Sequence, residues 1–184
     1  LAVNAFVVTN TAAAAAGLSW AVIEWFRIGK PTMFGVASGA VAGLVAITPA
    51  AGYVNVISAI VIGLLVSVFC YIAAAIIKPK LGYDDALDAF GVHCVGGIWG
   101  ALATGLFASK LVNTAGNNGL FFGNPHQFYV QAVAVGSTLL YASVATFVIY
   151  KIVDMIIGMR VVDEVEDIGL DLTQHHERAY TMVE

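Results

Sequence analysis

The chain has 184 residues, of which 60% are hydrophobic and only 11% charged, with a formal net charge of -4. A soluble domain carries roughly 45–50% apolar and about 25% charged residues, so the apolar surplus here exceeds what one compact core can hide, and lipid is the expected solvent for most of it. Two cysteines, Cys70 and Cys94, lie inside apolar runs; they are too few for a disulfide framework and lack metal-ligand company.

A helix needs about 20 apolar residues to cross the hydrocarbon core, and five runs qualify. The first, 1–26, has a polar interruption at Thr9-Asn10-Thr11. Asn10 and Thr11 are expected to bond to a neighbouring helix or to line a path. Leu1 opens directly into this apolar stretch, with no initiator Met, basic region or cleavage site, so the chain reads as a segment of a longer protein. The second run, 32–50, follows Gly29-Lys30-Pro31 and carries Gly35, Ser38, Gly39, Ala42 and Gly43 at steps of three and four. The third is 54–77. The fourth, 86–108, carries Gly91, Gly96, Gly97 and Gly100. Such small-residue faces let helix backbones approach closely; they read as tight packing, as the wall of a narrow conduit, or as both. The fifth run, 126–158, is long enough to tilt or to project from the membrane, and its first residue, His126, reads as interfacial. Trp25, close to Arg27, fits an aromatic belt, whereas Trp99 lies too deep for one.

Basic residues orient these spans. Arg27 and Lys30 follow the first, Lys78 and Lys80 the third, and Lys151 and Arg160 flank the end of the fifth. By the positive-inside rule those connections are cytoplasmic, so the chain begins outside and ends inside. Seven of the twelve acidic residues follow Val162. The expected organisation is therefore an all-α membrane region, 1–160, and an acidic cytoplasmic tail, 161–184.

His93 stands in Phe90-Gly91-Val92-His93-Cys94-Val95-Gly96-Gly97, near the middle of the fourth span. Ionisable residues in a membrane helix are costly and usually face the bundle interior or a substrate path. Steps of three and four place Ala89, Phe90, Gly96 and Gly97 around it, leaving it room. It reads either as a packing histidine bonded to a neighbouring helix or as a pore group, since neutral imidazole both donates and accepts and exchanges a proton near neutral pH. Asp84 and Asp85 suit N-terminal caps. Asp88 is placed deeper in the same span, as a loop anchor or a member of a proton path. No metal ligand set, cofactor motif or nucleophile–base pair is visible, so neither a cofactor nor an enzyme is expected.

The run Asp84-Asp85-Ala86-Leu87-Asp88-Ala89-Phe90-Gly91-Val92-His93, followed by Val95-Gly96-Gly97, closely resembles the tenth helix of the ammonium transporter family (Amt/MEP, related to Rhesus proteins). Thr9-Asn10-Thr11-Ala12-Ala13-Ala14-Ala15 resembles the seventh. Gly29-Lys30-Pro31 with Ser38-Gly39-Ala40-Val41-Ala42-Gly43-Leu44-Val45-Ala46-Ile47-Thr48-Pro49-Ala50 resembles the eighth. Gly158-Met159-Arg160-Val161 and Gly169-Leu170-Asp171 resemble the junction and the tail. The motifs are collinear over the whole chain.

The resemblance implies an eleven-helix inverted-repeat transporter, trimeric and set in the plasma membrane, of which this chain matches helices seven to eleven. It implies passage of ammonium or ammonia through a hydrophobic pore, with His93 as the second of twin histidines and the first outside the chain. It implies a regulatory cytoplasmic surface of Asp85, Arg160, Gly169, Leu170, Asp171 and Thr173, the last where related plant proteins carry a phosphosite. A PII-type signalling protein is the implied partner there, with Lys78, Lys80 and the tail as contacts, and no nucleic acid is expected. The rival implied role is ammonium sensing through the tail or a partner.

Overall fold

The computed structural model describes residues 1–178, and the regular structure among them is helical throughout. The first helix, α1 (Ala2–Ile28), runs unbroken through Thr9-Asn10-Thr11, where the sequence suggested an interruption. The Asn10 amide donates to the Phe6 carbonyl and the Thr11 hydroxyl to the Val7 carbonyl, both at 2.8 Å. Back-bonding to the residue four positions earlier satisfies these side chains on their own helix, so the expected bonds to a neighbour are not formed. Gly29, at φ +82°, stops α1 by returning its N–H to the Trp25 carbonyl.

α1 packs against both α2 (Met33–Ile47) and α3 (Val56–Tyr71), which also touch each other. Its buried stripe, Val8, Ala12, Ala16 and Trp20, recurs every four residues and so forms one face. Small residues set the spacing: a Cβ on Gly43 would stand 2.6 Å from the Ala12 carbonyl oxygen. Ser67 of α3 donates to the Ala16 carbonyl at 2.6 Å, and Ser19 of α1 to the Leu64 carbonyl at 2.9 Å. Hydrogen bonds and close backbone contact hold these helices, as expected where lipid competes for every apolar side chain.

The second run is shorter as a helix than its apolar length. α2 has 15 residues, about 22 Å at 1.5 Å each, against a hydrocarbon core of about 30 Å. Pro49 has no N–H to continue the ladder, and the chain folds into turns in which Ala50 and Ala51 both donate to the Ile47 carbonyl. Among the described residues, four helices are long and apolar enough to cross a membrane: Ala2–Ile28, Val56–Leu81, Phe90–Phe107 and Pro125–Ile157.

α3 starts on Asn55, whose side chain accepts from the Ser58 N–H at 2.9 Å. It continues through a π turn (Ile72–Ile77) into α4 (Lys78–Leu81). A second π turn (Phe90–Cys94) leads into α5 (Val95–Phe107). This span therefore begins at Phe90 and not at Ala86, because Asp88 adopts the left-handed conformation at φ +53°. Asp88 thus precedes the helix and is not inside it.

α6 (Pro125–Ile157) has 33 residues, about 50 Å of helix, matching the expected long fifth run. The chain divides into two units, Leu1–Ser137 and Thr138–Glu184. Within the second, α7 (Asp163–Ile168) and α8 (Leu170–Thr173) give the described part of the tail two short helical turns; its last residues, 179–184, lie outside the described region.

Candidate functional site

The spacing of His93, Gly97 and Ala101 puts all three on one face of the π turn and α5. That face and Val41, Leu44 and Val45 of α2 line a groove of about 560 Å3, with Thr48 and Pro49 at the α2 end. Its walls are apolar, and His93 is the titratable group among them. The ring is exposed to the groove and makes no hydrogen bond among the described residues, so the packing alternative finds no bonded partner there.

The adjacent glycines divide the two roles that the small-residue face suggested. A Cβ on Gly97 would meet no atom within 4 Å, so the backbone beside His93 is open. A Cβ on Gly96 would meet Val45, Cys70 and Val66 at 3.3–3.5 Å, which is helix packing. Ala89 is exposed and is not among the groove-lining residues; its N–H donates to Asp85. Asn10 and Thr11 do not line the groove either.

The chain before the π turn is tied down by three polar residues. The Asp85 carboxylate accepts from the N–H groups of Ala89 at 2.8 Å and Phe90 at 3.0 Å, an N-terminal cap of the expected kind. The Lys78 ammonium lies 2.5 Å from Asp88 Oδ1 and 2.9 Å from the Asp85 carbonyl oxygen. Lys78 is thus engaged within the chain, whereas Lys80 is exposed.

Glu24 escaped the sequence reading. It is 8% exposed, inside α1, and its carboxylate accepts from Thr32 N–H at 2.7 Å, from the Thr32 hydroxyl at 3.0 Å and from Trp20 Nε1 at 3.3 Å. The Thr32 hydroxyl in turn accepts from Gly35 N–H at 2.9 Å. The signal was an acid in an apolar run, placed before a Pro-Thr helix start. Glu24→Ala would leave the buried Trp20 N–H and the part-buried Thr32 donors without this acceptor, at about 1–3 kcal/mol for an orphaned buried group. A lower unfolding temperature in detergent is expected, and an unchanged one would show that the contact does not stabilise the fold.

A second cavity, of about 320 Å3, is lined by polar groups of Tyr53, Thr104, Asn117, Gln127 and Gln131. Gln127 and Gln131 share one face of α6.

In the Thr138–Glu184 unit, the Thr173 hydroxyl donates to the Gly169 carbonyl at 2.8 Å, and Gly169 stands at φ +107°. Leu170 and Asp171 open α8 directly after it. Arg160 meets Glu166 at 3.9 Å, with both side chains exposed, and such pairs contribute little.

The Ammonium Transporter Family matches residues 1–180. The ammonium transporter of Bacillus subtilis is 51% identical over 180 residues, covering 98% of this chain and 45% of that protein. Ammonium transporter Amt1 of Archaeoglobus fulgidus is also 51% identical, with the same coverage of each chain. The crystal structure of Saccharomyces cerevisiae Mep2 superposes with a TM-score of 0.82 at 37% identity, covering 89% of this chain and 38% of that one. A structure titled Sensor Amt Protein superposes at 0.81 with 30% identity, covering 93% and 41%. The chain spans less than half the length of the curated relatives it matches.

Proposed function

We propose, from the premise that the chain belongs to the ammonium transporter family, that it forms part of a path for ammonium or ammonia across the plasma membrane, with His93 as a pore group. The observation that carries this is the His93 ring, without a hydrogen bond among the described residues and turned into an apolar groove beside a glycine with open space around it. Apolar walls make a bare cation expensive, whereas neutral ammonia needs only a weak hydrogen-bond partner. A pathway of this kind favours ammonium, which can shed its proton, over potassium, which cannot. The proton then travels separately, through His93 and a second histidine supplied by the rest of the protein.

In this reading the chain crosses the membrane five times, α2 with its following turns making the short crossing, and the whole assembles as a trimer. The clustered basic residues support a cytoplasmic tail. There α7 and α8 offer a regulatory surface for a PII-type protein; separately, in the Leu1–Ser137 unit, Lys80 is exposed and Lys78 is paired with Asp88. A phosphate on Thr173 would replace its bond to the Gly169 carbonyl with about -1.5 to -2 charges in an acidic stretch.

The likeness to a structure titled as a sensor supports a second reading, in which the same groove reports ammonium through the tail. Reconstitution separates the two. The complete protein in proteoliposomes is expected to carry ammonium-dependent current and no potassium current. Ammonium binding without flux would sink transport and leave sensing.

A further inference from the structure

We infer that Lys78 and Asp88 form a latch that sets the rotational phase of α5 and so turns His93 into its groove. The inference rests on His93 being the pore group.

Several ties meet just before the π turn. Lys78, at the end of the α3–α4 rod, binds Asp88 Oδ1 at 2.5 Å and the Asp85 carbonyl at 2.9 Å. Asp88 stands in the left-handed region at φ +53°, which Asp and Asn tolerate better than most residues. That conformation lets its carbonyl accept from Val92 N–H at 2.8 Å. The Asp85 carboxylate caps Ala89 and Phe90. Behind the turn, a Cβ on Gly91 would meet Ala74 of the other π turn at 3.2–3.4 Å, and the Cys70 thiol donates to the Val92 carbonyl at 3.8 Å.

The phase of everything beyond depends on where this π turn begins. A π turn advances less per residue than an α-helix, and a slip of one residue turns a side chain by about 100°, which takes His93 off the face shared with Gly97 and Ala101. Both partners of the Lys78–Asp88 pair are 26% exposed, so the pair is better sheltered than an ordinary surface ion pair. Asp88 as a proton relay is the competing role. A relay needs the carboxylate and not the lysine, whereas a latch needs both.

Flux per assembled molecule tests this in the complete protein in proteoliposomes. Lys78→Met is expected to lower maximal ammonium flux by about tenfold, below the roughly hundredfold that a 1 Å misplacement of a reacting group can cost, while half-saturation changes little and Lys78→Arg keeps most of the flux. Asp88→Gly, which preserves the left-handed backbone but removes the carboxylate, is expected to match Lys78→Met. Normal flux in either Lys78→Met or Asp88→Gly overturns the latch. If Lys78→Met does not assemble, Lys78→Gln decides in its place: reduced flux supports the latch and normal flux overturns it. His93→Ala in the same assay keeps the two ideas apart. Lost selectivity there with normal flux in Lys78→Met removes the latch alone; normal selective flux in His93→Ala removes the pore reading and the latch with it.

Discussion

His93→Ala in the complete protein is expected to abolish ammonium-selective current or to admit potassium. Alanine removes both the donor and the acceptor that the apolar groove offers at that depth. Water entering the space vacated by the ring would hydrate cations as well as ammonia, so the barrier that separates them falls. His93→Asn sharpens the test, because an amide still donates and accepts but does not exchange a proton near neutral pH. If protons pass through His93, Asn keeps ammonia passage, read as alkalinisation inside vesicles, and loses the current. Selective currents of normal size in both variants would rule out a pore role for the ring.

The large features of the fold were legible because they rest on long-range averages. Apolar length identified the four long helices, and a titratable ring in an apolar run singled out His93. Local chemistry was harder to read. Asn10 and Thr11 look like breaks in a hydropathy scan, yet each closes a bond within its own helix. Asp88 lies within a run of apolar residues and counts as part of a span by composition, but its left-handed backbone puts it outside the helix. Pro49 cuts α2 short although the residues beyond it remain apolar. Glu24 is inconspicuous in the sequence because its partner Thr32 caps the next helix, and pairings across a turn leave no periodic trace. Gly96 and Gly97 are indistinguishable as letters. Only the positions of Val45, Cys70 and Val66 make one a packing residue and leave the other open.

The same contrast between open and packed positions predicts opposite failures for Gly97 and Gly100, a single turn apart on α5. Gly97→Leu is expected to fold normally, because a Cβ there meets nothing within 4 Å. Its side chain would project into the groove beside His93 and obstruct it, so ammonium flux should fall by about tenfold or more while the unfolding temperature stays near wild type; a tenfold loss corresponds to a barrier about 1.4 kcal/mol higher. Gly100→Val should fail the other way. Its Cβ would collide with the Ala46 backbone carbonyl of α2, and a backbone oxygen fixed in a helix cannot swing aside as a side chain can. α2 and α5 must then separate, at a cost of about 1–3 kcal/mol or more for an overpacked contact, with less assembled protein and an early unfolding transition. The groove is built between those two helices, so its flux would be lost as a consequence of their separation. Flux per assembled molecule and unfolding temperature, measured together, distinguish the outcomes. A Gly97→Leu variant that conducts normally would show that the space beside His93 is not the path.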